Sequence, residues 1–159
     1  MSKSAVKKIV IALLVSAFVL TAAGALGYYK ITSRVEGEFF DSNGVRIHYT
    51  DEGDGEPVIL IHGFAVNADL NWRSPGITPA LAEDFRVIAM DLRGHGLSGK
   101  PHEAGFYGRE MVEDVARLMD HLEIEKAHLV GYSLGGFVAL KFAAEHPERL
   151  ITLAPLGSG

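Results

Sequence analysis

Ser133 stands at the centre of the pentapeptide Gly131-Tyr132-Ser133-Leu134-Gly135, between an apolar run, Ala127 to Val130, and a stretch of helical character, Gly136 to His146. A Gly-x-Ser-x-Gly at a strand-to-helix junction has a mechanical meaning. The small flanking residues allow a tight, strained turn that lifts the serine hydroxyl out of the sheet, toward a substrate and toward the positive end of the following helix. The chemistry that suits such a hydroxyl is nucleophilic attack on an acyl carbon. In a chain with 18 glycines the pentapeptide alone is a weak signal. The strand before it and the helix after it give it weight.

A second element leads to the same chemistry. Val58-Ile59-Leu60-Ile61 is a short, wholly apolar run of the kind buried in a parallel sheet, and it ends in His62-Gly63-Phe64. Further on, Asp91-Leu92-Arg93-Gly94-His95-Gly96-Leu97-Ser98 follows another apolar run. In these three motifs and their order the chain resembles the α/β-hydrolase family, from about Phe39 to Leu153. The resemblance implies that Ser133 is the nucleophile, and that the backbone N–H groups of Phe64 and Leu134 form the oxyanion hole. It also implies that His62 acts mainly through its backbone. His62, Gly63, Tyr132 and Phe64 are candidates for lining the acyl pocket. Trp72 is a further pocket candidate, with packing as the alternative.

In that family the triad runs Ser, then Asp or Glu, then His, with the last two on loops far downstream of the serine. From Gly136 to Gly159 the only candidates are Glu145, His146 and Glu148. His146 lies 13 residues beyond Ser133 on what reads as one helix. At roughly 1.5 Å per residue that places it about 20 Å away, outside hydrogen-bond reach. It reads instead as a solvated residue at a helix end, ahead of Pro147. The chain is therefore expected to be the amino-terminal half of a longer hydrolase, with acid and histidine beyond Gly159 and little activity of its own. Substrates expected from the resemblance are esters or related acyl compounds. Relatives that cleave carbon–carbon bonds, lactones or amides, or that make peracids, are not separated by these motifs. Relatives that open epoxides or remove halide place Asp at the elbow, and Ser133 argues against those.

Other tempting residues have plainer readings. Asp91, Arg93 and His95 look like a polar cluster, but such loops are commonly held by internal hydrogen bonds. His128 falls in a predicted buried strand, where a satisfied core histidine is the default. Gly94 to Gly99 matches G-x-G-x-x-G, yet Lys100-Pro101-His102 breaks the helix a dinucleotide site requires. No two histidines share helical metal-ligand spacing, and the pair His121 and Glu125 falls at a helix end, so neither metal nor cofactor is predicted.

Composition narrows the remaining classes. The chain has 159 residues, 48% of them apolar and 22% charged, as in an ordinary globular domain. A net charge of -5 without a basic stripe argues against nucleic-acid binding. Without cysteine there is no disulfide or thiolate chemistry. The first 30 residues differ: Lys3, Lys7 and Lys8 precede an uncharged, mostly apolar stretch from Ile9 to Tyr29. Its 21 residues suffice to cross a bilayer core of about 30 Å. Ala23-Gly24-Ala25 also offers a cleavage pattern, so both an uncleaved membrane anchor and a secretory signal stand. Either places the domain outside the cytoplasm.

Residues 1–30 thus read as anchor or signal, 31–37 as a linker and 38–159 as a partial hydrolase domain. Strands are predicted at Glu38 to Asp41 and Val45 to Thr50, joined by an Asn43-Gly44 hairpin turn, then at Val58 to Ile61, Arg86 to Met90, Ala127 to Val130 and Arg149 to Ala154. Asp51 to Pro57 reads as an acidic turn, Ala65 to Gly76 as a loop with a short helix, and Thr78 to Glu83 as a helical turn. Met111, Val115, Leu118, Met119 and Leu122 recur at helical spacing. This alternation predicts an α/β fold, a mainly parallel sheet with helices on both faces, entered by an antiparallel hairpin. The competing reading is a non-catalytic, membrane-tethered binding module, disfavoured because an open strand edge near Ile151 would promote aggregation.

Overall fold

The computed structural model describes residues 36–158. The anchor or signal segment and most of the linker lie outside the described residues. Among the described residues no helix is long and apolar enough to cross a membrane.

Six strands form one sheet: β1 (Glu38–Ser42), β2 (Val45–Glu52), β3 (Glu56–Ile61), β4 (Phe85–Met90), β5 (Ala127–Tyr132) and β6 (Leu150–Leu156). Their order is β1-β2-β4-β3-β5-β6. The β1–β2 hairpin is antiparallel and docks antiparallel on β4, while β4, β3, β5 and β6 pair parallel. Asn43 and Gly44 turn the hairpin with φ of 55° and 81°, the left-handed pair that a two-residue turn demands.

The apolar run of β3 is buried on both faces because helices cover both. Val58 and Leu60 join Val87 and Ala89 of β4 in a core with Ala68 and Trp72, packed under α1 (Ile77–Leu81). Ile59 and Ile61 point the other way, with Ile88, Met90 and Leu129, into a larger core beneath α2 (Arg109–His121) and α3 (Leu134–Glu145). The stripe predicted for α2 faces this core, with Met111, Val115, Leu118 and Met119 buried and Leu122 packed at its edge.

Several boundaries differ from the sequence reading. The acidic turn is short, since β2 runs to Glu52 and β3 begins at Glu56. Two of its carboxylates are drawn into pairs, Asp51 with Arg86 at 2.7 Å and Glu52 with Arg73 at 2.8 Å. The short helix in the following loop is a π-helical turn, Asp69–Arg73. β6 continues to Leu156, past Pro155, which sits on an edge strand where a missing N–H is tolerated. Ile151 and Leu156 are exposed along that edge.

Candidate active site

Strand β5 ends at Tyr132 and α3 begins at Leu134, so Ser133 alone makes the turn between them. Its backbone takes φ 50° and ψ −113°, outside the regions an L-residue prefers. Two close approaches hold it there. A β-carbon on Gly131 would lie 2.1 Å from the carbonyl oxygen of Gly135, and one on Gly135 would lie 2.2 Å from the carbonyl oxygen of Ile61. Neither glycine of the pentapeptide tolerates a side chain, because the turn is folded onto itself and onto the end of β3. The Ser133 N–H donates to Leu156 O at 2.8 Å, which ties the turn to β6 as well.

Ser133 occupies the N-cap position of α3, yet its side chain makes no capping hydrogen bond. A serine at an N-cap ordinarily accepts from the first-turn amides. Here the hydroxyl is left uncommitted, half-exposed at the positive end of the helix. Leu134 is the first helical residue, so its N–H has no acceptor within the helix.

The His62-Gly63-Phe64 turn lies directly against this elbow. A β-carbon on Gly63 would sit 3.1 Å from Tyr132 Cδ1 and 3.5 Å from Ser133 Cβ. The Gly63 N–H donates to Asn71 Oδ1 at 3.0 Å, while the Phe64 N–H has no hydrogen-bond partner among the described residues. Two free amides, those of Phe64 and Leu134, therefore belong to the two turns that meet at Ser133. Phe64 is 73% exposed and Tyr132 47%, leaving the ground above the serine open. An apolar cleft of about 290 Å³ opens beside Leu134, lined by Met111, Val112, Phe137 and Val138, with Arg109 and Lys141 also on its wall.

Five of the seven histidines make hydrogen bonds away from Ser133. His62 is buried, with Nδ1 2.7 Å from the Gly63 carbonyl and Nε2 3.0 Å from the Leu92 N–H. Burial lowers its pKa from the ordinary value of 6.5. His48 Nδ1 meets Asp91 at 3.0 Å, His95 Nδ1 lies 3.2 Å from Arg93 O, and His121 approaches the Tyr49 hydroxyl at 3.3 Å. His128 is satisfied by Thr152 at 2.7 Å and Glu56 at 3.0 Å, though it is partly exposed rather than a core residue. His146 follows α3 at the end opposite Ser133 and leans on Phe142, half-buried rather than solvated.

Two further groups bear on the site. Trp72 is 3% exposed and packs among Val58, Leu60 and Val87, on the face of the sheet opposite α2 and α3. The packing alternative describes it, because its short π-helical turn rolls the ring under the sheet. Glu113, Glu145 and His146 also converge within 4.8 Å of one another, a grouping of metal-ligand types that spacing within one helix does not reveal. Its carboxylates are already paired with Arg109 and Lys141.

The loop after β4 is held by internal bonds. Asp91 accepts from His48, from the Ala68 N–H at 2.9 Å and from the Leu97 N–H at 2.8 Å. Burial works against its ionisation, but those hydrogen bonds prevail and hold its pKa below the ordinary 3.8. Arg93 is buried against Asp114 with two bonds of 2.6 Å and donates a third to Phe106 O at 2.7 Å. The glycines of this loop open into no helix, since the next element is a single turn at Ala104–Phe106. Asn71 and Asp114 are structural anchors that no motif in the sequence marks. The only sequence signal for Asn71 is the four-residue spacing from Asn67, whose own side chain accepts the Leu70 N–H.

Sheet order, the strained serine turn and the adjoining His-Gly turn are the features of the α/β-hydrolase fold. The sequence profile of the alpha/beta hydrolase fold matches residues 56–158, and the chain belongs to that family. Among curated relatives it is similar to 2-hydroxymuconate semialdehyde hydrolase of Pseudomonas sp. (strain CF600), 43% identical over 117 residues, covering 72% of this chain and 41% of that protein. It is also similar to a soluble epoxide hydrolase of Corynebacterium sp. (strain C12), 45% identical over 114 residues, covering 70% of this chain and 38% of that one. Among solved structures, a meta-cleavage product hydrolase from Pseudomonas fluorescens IP01 superposes with a TM-score of 0.71 at 40% identity, covering 76% of this chain and 44% of that one. The chain spans less than half the length of these relatives.

Proposed function

We propose that the whole protein to which this chain belongs is a serine hydrolase acting on a carboxylic ester or related acyl compound. One observation carries this reading: Ser133 is strained at an N-cap, with its hydroxyl uncommitted between two turns that each present a free amide. In this scheme Ser133 Oγ attacks the acyl carbon and its proton passes to a histidine supplied beyond Gly159. The oxyanion accepts hydrogen bonds from the Phe64 and Leu134 N–H groups, the alcohol leaves, and water releases the acid. Tyr132, Phe64 and the cleft beside Leu134 offer the apolar surface for the acyl part.

The test is covalent labelling of the full-length protein with a fluorophosphonate probe. Labelling is expected in the native protein and lost in Ser133→Ala, and undiminished labelling of that variant would sink the assignment.

A second reading within the same chemistry is carbon–carbon hydrolysis, favoured by the likeness to 2-hydroxymuconate semialdehyde hydrolase and to the meta-cleavage product hydrolase. Turnover of a 2-hydroxy-6-oxo-dienoate far above that of p-nitrophenyl esters would select it. We also infer that the segment from Ile9 to Tyr29 carries the domain across the cytoplasmic membrane, as an anchor or as a signal. An alkaline phosphatase fusion after Arg34 that stays inactive would refute that.

A further inference from the structure

We propose that His62 is the positioning residue of the oxyanion hole, acting as its Nδ1–H tautomer to aim the Phe64 N–H. The inference deepens the serine-hydrolase reading and rests on it. Its basis is the pair of bonds the buried ring makes. Nδ1 lies 2.7 Å from the Gly63 carbonyl, which only accepts, so Nδ1 carries the proton. Nε2 lies 3.0 Å from the Leu92 N–H, which only donates, so Nε2 offers its lone pair. Both nitrogens are committed, and one neutral tautomer satisfies both.

The peptide bond transmits the consequence. The Gly63 carbonyl and the Phe64 N–H belong to one planar unit, and no peptide bond among the described residues is cis. In a trans unit the two groups point in opposite directions. Holding the carbonyl inward on the His62 ring therefore turns the Phe64 N–H outward, where it has no partner. On the other side of Gly63, Asn71 Oδ1 holds the preceding N–H at 3.0 Å. Gly63 has no β-carbon to restrict its rotation, so these two bonds set the amide's direction. A misaimed donor loses its value in the transition state, where its bond to the oxyanion is made.

Nearby groups on other elements do not disturb the assignment. Asp91 is occupied by His48 and two amides, and the His95 ring, centred 5.2 Å from that of His62, has its Nδ1 3.2 Å from the Arg93 carbonyl.

Two substitutions separate this role from a simple tie between the loops after β3 and β4. The amide of His62→Asn overlays Nδ1, so it keeps the donor to Gly63 and loses the acceptor for Leu92. The amide of His62→Gln overlays Nε2, so it keeps the acceptor and loses the donor. In the full-length protein His62→Asn is expected to retain kcat within about tenfold. His62→Gln is expected to lose about 10²- to 10³-fold in kcat, the range for removing one oxyanion donor, with KM nearly unchanged. Equal kcat for the two, or a better His62→Gln, overturns the proposal provided that Ser133→Ala still abolishes turnover. Turnover that survives Ser133→Ala overturns the serine-hydrolase reading itself. If either variant fails to fold, nitrogen-15 NMR of the native ring decides. A proton on Nδ1 and none on Nε2 supports the proposal, and the opposite tautomer overturns it.

Discussion

The loop after β4 and the turn after β5 begin at the same end of the sheet, two strands apart, and they treat their polar groups in opposite ways. In the first, Asp91 and Arg93 bring charged groups into the interior and every bond is returned, by His48, by two amides, by Asp114 and by the Phe106 carbonyl. In the second, the Ser133 hydroxyl makes no cap, and the adjacent Leu134 N–H is free. Buried polar groups with complete bonding build rigidity. Exposed polar groups without bonding, held in a strained turn by close backbone packing, are ready to bond something else. The richer cluster of titratable residues is thus the scaffold, and the single serine is the candidate for chemistry.

The largest expected effect comes from Ser133→Ala. In the full-length protein kcat/KM should fall by at least about 10³-fold, while the melting temperature hardly moves, because the hydroxyl supports no bond in the fold. A large loss of stability would place Ser133 on the scaffold side of the comparison.

Asp114→Ala should do the reverse. It strands the Arg93 guanidinium, whose side chain is 1% exposed, without its partner. Losing one member of a buried pair costs about 3–5 kcal/mol. Chemical denaturation should show that loss, with kcat per folded molecule close to native. A change in kcat at unchanged stability would give the β4 loop a part in the reaction.

Gly135→Ala tests the junction between the two behaviours. The new β-carbon would sit 2.2 Å from Ile61 O and 2.7 Å from His62 O, both backbone atoms at the base of the oxyanion turn. The strand end must shift, so stability should fall by about 1–3 kcal/mol and kcat should fall with it. Activity that survives at native level would mean the spacing of the two turns is not critical.

The sequence made the scaffold's strands readable and left its ion pairs hidden. Val58 to Ile61 and Arg86 to Met90 are recognisable because strands buried on both faces need continuous apolar runs, and the α2 stripe because one helix face meets the core. The Ser133 turn is recognisable because strand, glycines and helix are contiguous. Asp114 is not legible, since its partner Arg93 lies 21 residues away and nothing local marks a buried carboxylate on a polar-looking helix. The part played by the His62 ring is not legible, because it depends on where the Leu92 amide lands, 30 residues later. Trp72 was ambiguous for a related reason: the roll of a π-helical turn decides which side of the sheet receives the ring.

The smallest effect expected is in the pH dependence of stability, and it tests whether the two regions respond to acid separately. His62 has a folded pKa below 6.5, so beneath that value the unfolded chain takes up a proton that the native ring refuses. The unfolded state then binds more protons, and stability declines as the pH falls from 6.5 toward the folded pKa. Asp91 also has a depressed folded pKa, so its contribution is complete above 3.8 and disappears as the pH drops through the lower native value. Both signs point to greater acid sensitivity, in two windows. Urea denaturation across pH 3 to 8 should show a decline beginning near 6.5 that is smaller in His62→Asn, followed by a steeper one below about 4 that persists in that variant. If His62→Asn retains the upper decline in full, another group governs that window, and the ring's neutrality contributes nothing to the fold.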